Sequence, residues 1–318
     1  MKTRSLVLLS GEGTTIPEAE ARALFLTFDS ESKFEAPEPR VIVADSRADP
    51  FAIGARIAFA RRVGPLLESP SHAARFLAGH RVRFRCFDLS KGGSEPDPAG
   101  YLKGLDVTID LSDPEYELTL VRGGRDYLAV TAPGGMIQAW ARRRPRARPF
   151  FHPSAIFPKL SRALVNLSRC MPGCVFLEPF AGTGSIAVEA HLVGAEVVAL
   201  DLVERMARGA QSNMRHFGQE WMGQLRADSG HLPVRRADAV ATDIPYGRAS
   251  STRGRSPLQI VRRLLPELAL AMPRGAFLVI MHPQSLPLEG TPDFSFEEEH
   301  HLHVHKLLTR TITVLRRT

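Results

Sequence analysis

From residue 158 onward the chain alternates apolar strand-like runs with helical periods so regularly that few architectures can hold it. Helical spacing over Pro158–Cys170 leads into a strand at Val175–Leu177, a helix over Ser185–Leu192, a strand at Glu196–Leu200 and a helix over Met206–Phe217. Further strands are predicted at Gln224–Ala227, Ala239–Thr242 and Ala276–Met281, with a helix over Leu258–Met272. Strands that repeatedly return through helices run parallel, and a parallel sheet needs both faces covered. The expected fold class of this half is therefore α/β. Its tail, His301–Leu308 followed by Thr311–Arg316, has little room for a helix between its two runs and predicts a closing pair of edge strands.

The first part of the chain reads differently. Short strand patterns at Ser5–Ser10, Arg40–Ala44, Arg81–Phe87, Leu105–Leu111, Tyr116–Arg122 and Tyr127–Thr131 are interleaved with helical patterns at Ile16–Phe28 and Pro50–Phe59, so this half is expected to be α+β. Gly123-Gly124 between two strand-like runs predicts a hairpin turn. The halves meet where composition breaks: between Asp126 and Glu178 there is no acidic residue, and Arg142, Arg143, Arg144, Arg146 and Arg148 cluster there between prolines. A basic, Pro-punctuated stretch suits an exposed linker.

A formal charge of +7 and a pI near 9.7 imply a partner rich in negative charge, for which nucleic acid and an anionic membrane surface both qualify. No run approaches the roughly 18 apolar residues of a spanning helix, and Ser5–Leu9 is too short for a secretory segment, so a cytoplasmic, membrane-free protein is expected. Cys86, Cys170 and Cys174 make no disulfide framework, and Cys170 and Cys174 lack a second pair for zinc. His303 and His305 share one strand face, but no metal is expected there or elsewhere.

In Glu178-Pro179-Phe180-Ala181-Gly182-Thr183-Gly184, two glycines stand between a buried strand and a helix, where the backbone can bend sharply and approach a ligand. Asp201, followed by Leu202, ends the next strand, where a carboxylate can accept from both hydroxyls of a ribose. Asp228 ends the strand after that; it is either an acceptor for an adenine amino group, with Ala227 and Ser229 flanking the ring, or a turn residue. This pattern fits NAD and S-adenosylmethionine alike, because Ala187 is tolerated where a third glycine would stand.

The next strand end separates them. Asp243-Ile244-Pro245-Tyr246 resembles the Asp/Asn-Pro-Pro-Tyr motif of S-adenosylmethionine-dependent enzymes that methylate exocyclic amines of bases. Such an amine is a poor nucleophile because its lone pair is delocalised into the ring. Asp243 and the carbonyl of Ile244 can accept its two hydrogens and leave the lone pair aimed at the methyl, while Tyr246 stacks on the base. Guanine offers adjacent N1–H and N2–H donors to one carboxylate, whereas adenine offers an acceptor that a carboxylate repels, which favours guanine. Ile244 departs from the usual Pro and removes its φ restraint.

The segment Arg148-Pro149-Phe150-Phe151-His152-Pro153 and the run 158–168, together with these motifs and the C-terminal run 305–310, are similar to archaeal tRNA guanosine N2-methyltransferases that act at position 10 of tRNA. The resemblance implies an S-adenosylmethionine cofactor, a tRNA partner and a Rossmann-type methyltransferase domain at 153–318. It also implies a ferredoxin-like piece at 1–48, a THUMP RNA-binding domain at 49–134 and a basic linker at 135–152. Arg142, Arg143, Arg144, Arg146 and Arg148 are then candidates for phosphate contact, as well as for a merely solvated linker, and Lys159 and Arg248 join the RNA-binding set. The protein is expected to act as a monomer and to give N2-methylguanosine or its dimethyl form. Methylation of another tRNA or rRNA guanosine and a catalytically inactive RNA-binding protein are the alternatives. A DNA adenine methyltransferase is disfavoured by the short stretch after Asp243, which leaves little space for a sequence-reading domain.

Overall fold

The structure, a computed structural model, describes residues 2–12, 14–89, 96–134, 140–219, 223–245, 254–286, 288–305 and 308–318. It comprises two compact units, residues 1–13 with 17–137 and residues 14–16 with 138–318. Among the described residues no helix is long and apolar enough to cross a membrane.

In the first unit the strands are β1 (Thr3–Leu9), β2 (Lys33–Glu38), β3 (Val41–Ser46), β4 (Ala60–Leu67), β5 (Arg81–Asp88), β6 (Thr108–Ile109), β7 (Tyr116–Arg122) and β8 (Asp126–Thr131), joined in one sheet of order β2-β3-β1-β4-β8-β7-β5-β6. β1 shows its period of two: Val7 and Leu9 face a core with Leu24, Phe25 and Ile42, while Leu6 and Leu8 face one with Val41, Val121 and Tyr127. The first of these cores also takes Ala48, Ile53, Ile57 and Val63, so the expected division after residue 48 falls inside a shared core. β7 and β8 form the hairpin predicted at Gly123-Gly124, and Glu38 ties its turn by accepting from the N–H groups of Gly124 (3.0 Å) and Arg125 (3.1 Å).

β4 is absent from the sequence reading because Gly64 and Pro65 look like a turn. It lies between β1 and β8, and a Cβ at Gly64 would fall 1.8 Å from the Val130 carbonyl oxygen, so the glycine permits close strand approach. The strand predicted over 105–111 contracts to β6, whose side chains are exposed.

The second unit carries β9 (Val175–Glu178), β10 (Glu196–Asp201), β11 (Gly223–Arg226), β12 (Ala239–Asp243), β13 (Phe277–Pro283), β14 (Phe294–His305) and β15 (Leu308–Arg317), in the order β11-β10-β9-β12-β13-β15-β14. β9 to β13 are mutually parallel and β15 and β14 are antiparallel, so the predicted parallel sheet is present. The tail is corrected in one respect: β15 lies inside the sheet between β13 and β14, so of the two tail strands β14 alone is an edge. Ile312, Val314 and Leu315 are buried accordingly.

Helix Pro257–Ala271 starts on a capping box, Ser256 Oγ accepting from Gln259 N–H and Gln259 Oε1 accepting from Ser256 N–H, with Pro257 in its first turn. It packs Ile260, Val261, Leu264 and Leu268 against Leu177, Val240, Leu278 and Phe294 of the sheet. The order reverses between β9 and β12, and a doubly wound sheet binds ligands outside the carboxyl ends of its strands at that switch point.

The basic segment is not a solvated linker throughout. Trp140 and Pro145 are buried, and Glu189, with no exposed surface, receives Arg143 (2.7 Å) and Arg162 (2.8 Å). Arg148, 5% exposed, donates to Ser185 Oγ at 2.7 Å. Arg143 and Arg148 are therefore corrected from phosphate contacts to internal ties: a guanidinium turned onto the fold's own carboxylate or hydroxyl is not presented to a partner. Arg142, Arg144 and Arg146 remain exposed.

Candidate active site

Four strand ends converge on one cavity of about 460 Å³. β9 ends at Glu178, which is buried; its Oε2 accepts from Ala187 N–H at 2.8 Å, and burial pushes its carboxyl well above the usual range. The loop that follows turns on Gly182 (φ 53°) and Gly184 (φ 74°), a left-handed backbone that disfavours side chains. A Cβ on Gly184 would also press on the Ala210 Cβ at 3.2 Å. Gly184 caps helix Ser185–Leu192 from behind and does not line the cavity, whereas Glu178, Pro179, Phe180, Ala181, Gly182 and Thr183 do.

Asp201, at the end of β10, braces this loop. Its Oδ2 accepts from Gly182 N–H (2.9 Å) and its Oδ1 from Val203 N–H (2.8 Å), and each oxygen keeps a second lone pair for a ligand. Burial raises its pKa against those two bonds. Asp228, after β11, has the opposite balance. The Gly230 N–H at 3.0 Å is the main cause of its lowered pKa, and Arg255 (3.2 Å) and Arg263 (3.7 Å) on its Oδ2 act in the same sense. Asp228 makes a turn, and it lines the cavity with Leu202, Ala227 and Ser229.

At the end of β12, Asp243 Oδ2 meets Arg310 Nη1 at 3.1 Å. Its Oδ1 is buried and has no hydrogen-bond partner among the described residues. Burial pushes the carboxyl up to about 7, and Arg310 restrains the rise. Ile244, 1% exposed, donates its N–H to the Met281 carbonyl at 2.9 Å and packs in the core beside Ile260. A proline could not make that bond, so the fixation lost with the proline ring is supplied here by a hydrogen bond and burial. Ile244 and Pro245 line the cavity; Tyr246 and Arg248 lie outside the described residues.

Several residues here are not among the cofactor-binding or catalytic residues expected from the sequence. Asn213, fully buried, donates to the carbonyls of Phe150 and Thr183 (both 2.9 Å) and so joins the segment before the domain to the glycine loop. Arg310, Arg255, Arg263 and His152 line the cavity as well. Lys159 is half-buried in the first turn of helix Pro158–Leu167.

The residues fit an adenosine-bearing ligand: a turn on left-handed glycine backbone, with Gly182 on the cavity, a carboxylate at the second strand end and a third carboxylate beyond it.

Comparison with known proteins agrees with this geometry. Residues 145–311 match the family described as UPF0020, RMKL-like, methyltransferase domain. The chain is 30% identical to a tRNA (guanine(10)-N2)-dimethyltransferase of Methanothermobacter thermautotrophicus, over 98% of this chain and 99% of that one. It is 31% identical to a protein of the same description from Methanocaldococcus jannaschii, over 79% of this chain and 72% of that one. TrmN of Thermus thermophilus shares the fold, with a TM-score of 0.51, 20% identity and coverage of 99% of this chain and 100% of that one.

Proposed function

Because the chain belongs to the RMKL-like methyltransferase-domain family and to the family of the archaeal tRNA (guanine(10)-N2)-dimethyltransferases, we propose that it methylates the exocyclic N2 amine of a guanosine in tRNA, at position 10. The observation that carries this reading is Asp243: a carboxylate at a strand end, with one oxygen buried and unpartnered among the described residues, on the same cavity as Asp201 and Asp228.

When bound, S-adenosylmethionine would supply a sulfonium methyl open to in-line attack by the amine, the carbon–sulfur electron pair leaving with the sulfur. Asp201 would hold the ribose hydroxyls and Asp228 the adenine amine. Asp243 Oδ1 and the Ile244 carbonyl accept the amine hydrogens, and Asp243 takes one proton as the new carbon–nitrogen bond forms. A carboxylate with a pKa of about 7 is matched to that task near neutral pH. Tyr246, outside the described residues, is the aromatic residue of the motif proposed to stack on the guanine.

Residues 1–134 are proposed to grip tRNA as ferredoxin-like and THUMP pieces, with Arg142, Arg144 and Arg146 contributing phosphate contacts. Replacing these three by Ala is expected to weaken tRNA binding and lower the salt slope by about 0.9 for each phosphate no longer neutralised; an unchanged slope returns them to solvent.

The deciding experiment is methyl incorporation from labelled S-adenosylmethionine into unmodified tRNA, with nucleoside analysis and mapping. N2-methyl- or N2,N2-dimethylguanosine at position 10 is the expected product. Incorporation at another guanosine overturns the position, and tight tRNA binding without incorporation overturns the enzymatic reading.

A further inference from the structure

The acceptor carboxylate has a partner that its own motif does not announce. Asp243 ends β12, and Arg310, which it meets, stands 67 residues later on β15. β13 lies between them: Asp243 pairs in register with Met281, and Arg310 with Pro283. The Arg310 side chain therefore crosses the end of β13 to reach Asp243 Oδ2, touching Met281 Sδ at 3.7 Å on the way. Both side chains keep only 18% of their surface.

The two oxygens of Asp243 are thereby made unequal. Oδ2 is held by a guanidinium whose own place is set by an internal strand. Oδ1 is buried, and among the described residues nothing donates to it. Buried polar atoms are nearly always hydrogen-bonded, so Asp243, which lines the cavity, carries an acceptor whose donor is not among the described residues.

We propose that Arg310 is a positioning residue for methyl transfer, holding Asp243 Oδ2 so that Oδ1 alone is presented to the substrate amine. The proposal rests on the reading of Asp243 as the amine acceptor. A carboxylate free to rotate would offer either oxygen and would lose the fixed line between amine and methyl that the displacement needs.

Arg310 also governs the charge. Burial alone favours the protonated acid, which cannot take up the amine proton, and the guanidinium opposes that. Among the described residues, the other titratable and charged groups on the cavity are Glu178 from β9, Asp201 from β10, His152 and Arg205, and Asp228 with its partners Arg255 and Arg263. Glu178 is driven towards its neutral form by burial, and Asp228 is matched by its own arginines, so Arg310 is the cation in direct contact with Asp243. Removing it must move the Asp243 midpoint upward from about 7.

Arg310→Met and Arg310→Lys test this by two readouts. The first is carbon-13 titration of labelled aspartate in the cofactor-free protein, with Asp243→Asn identifying the signal. The second is the pH profile of single-turnover methyl transfer to tRNA. In Arg310→Met the Asp243 midpoint should rise by about one unit or more, and the transfer rate should fall at neutral pH and partly recover in alkali. Arg310→Lys keeps the charge without the planar fork, so its midpoint should stay near wild type while the rate falls. An Asp243 midpoint unmoved in Arg310→Met, or a Lys variant with wild-type rate, overturns the proposal; should the Met variant fail to fold, the Lys variant decides alone. A wild-type chain that methylates no tRNA overturns the function proposed above, while the titration still decides the Arg310–Asp243 clamp.

Discussion

The two ends of the cavity treat a strand-end aspartate in opposite ways. At the end proposed to take the adenine, Asp228 keeps its charge because a backbone N–H and two arginines hold its pKa down. At the end proposed to take the substrate amine, Asp243 is shielded from water and meets Arg310, and its carboxyl rises to about 7. A group that stays charged across the working range is suited to holding a ligand. A group that titrates near neutrality is suited to taking a proton. The chemistry is thus divided by environment, since the residue type is the same.

The largest effect that could break this comparison is loss of transfer in Asp243→Asn. The amide keeps the size but cannot take the proton, so the rate should fall about 100- to 10,000-fold, with S-adenosylmethionine affinity by calorimetry unchanged. A variant with wild-type rate would make the two ends equivalent. The pH dependence sharpens the same point. Below about 7 Asp243 is protonated and cannot accept, so kcat/KM should climb as pH rises through about 7 and level off above it; a flat profile across that midpoint would detach the reaction from this carboxyl.

Between the two ends, Asp201→Ala removes two acceptor atoms and frees Gly182, and should weaken cofactor binding about 10- to 100-fold. Undiminished affinity would cancel the ribose assignment. Ile244→Pro deletes the N–H bond to Met281 and should cost about 1–3 kcal/mol of unfolding free energy, read from a lowered denaturant midpoint. A stabilised variant would show that the ring restraint outweighs the bond. The smallest effect is expected from Arg255→Ala. The Gly230 N–H continues to hold Asp228 charged, so cofactor affinity should change by less than about threefold, as for a part-exposed pair; a large loss would move Arg255 into the ligand's own contacts.

Much of the catalytic unit was readable in local pattern. Helix Ser185–Leu192 matches its predicted bounds, and the strands ending at Asp201 and Asp243 were placed to within a residue or so, because buried parallel strands are short apolar runs punctuated by glycine and acid. The first unit was less readable. β4 hides behind Gly64 and Pro65, whose meaning is a close strand neighbour, and that neighbour, β8, is distant in the chain. Ile244 is a similar case: as a departure from a motif it looked like lost rigidity, and its bond to Met281 exists only because β12 lies beside β13.

By itself the sequence determined the parallel strands and most helices of the second unit, where the glycine turn falls, and which carboxylates stand at strand ends, since these follow from periodicity and local backbone freedom. Tertiary structure alone decided which arginine each acid meets: Arg310 with Asp243, Arg255 with Asp228, Arg143 with Glu189. Within one basic stretch Arg143 turns inward and Arg142 outward, although the local sequence treats them alike. Ion pairing depends on sheet order, register and burial, and those are properties of segments far apart in the chain brought to a common depth.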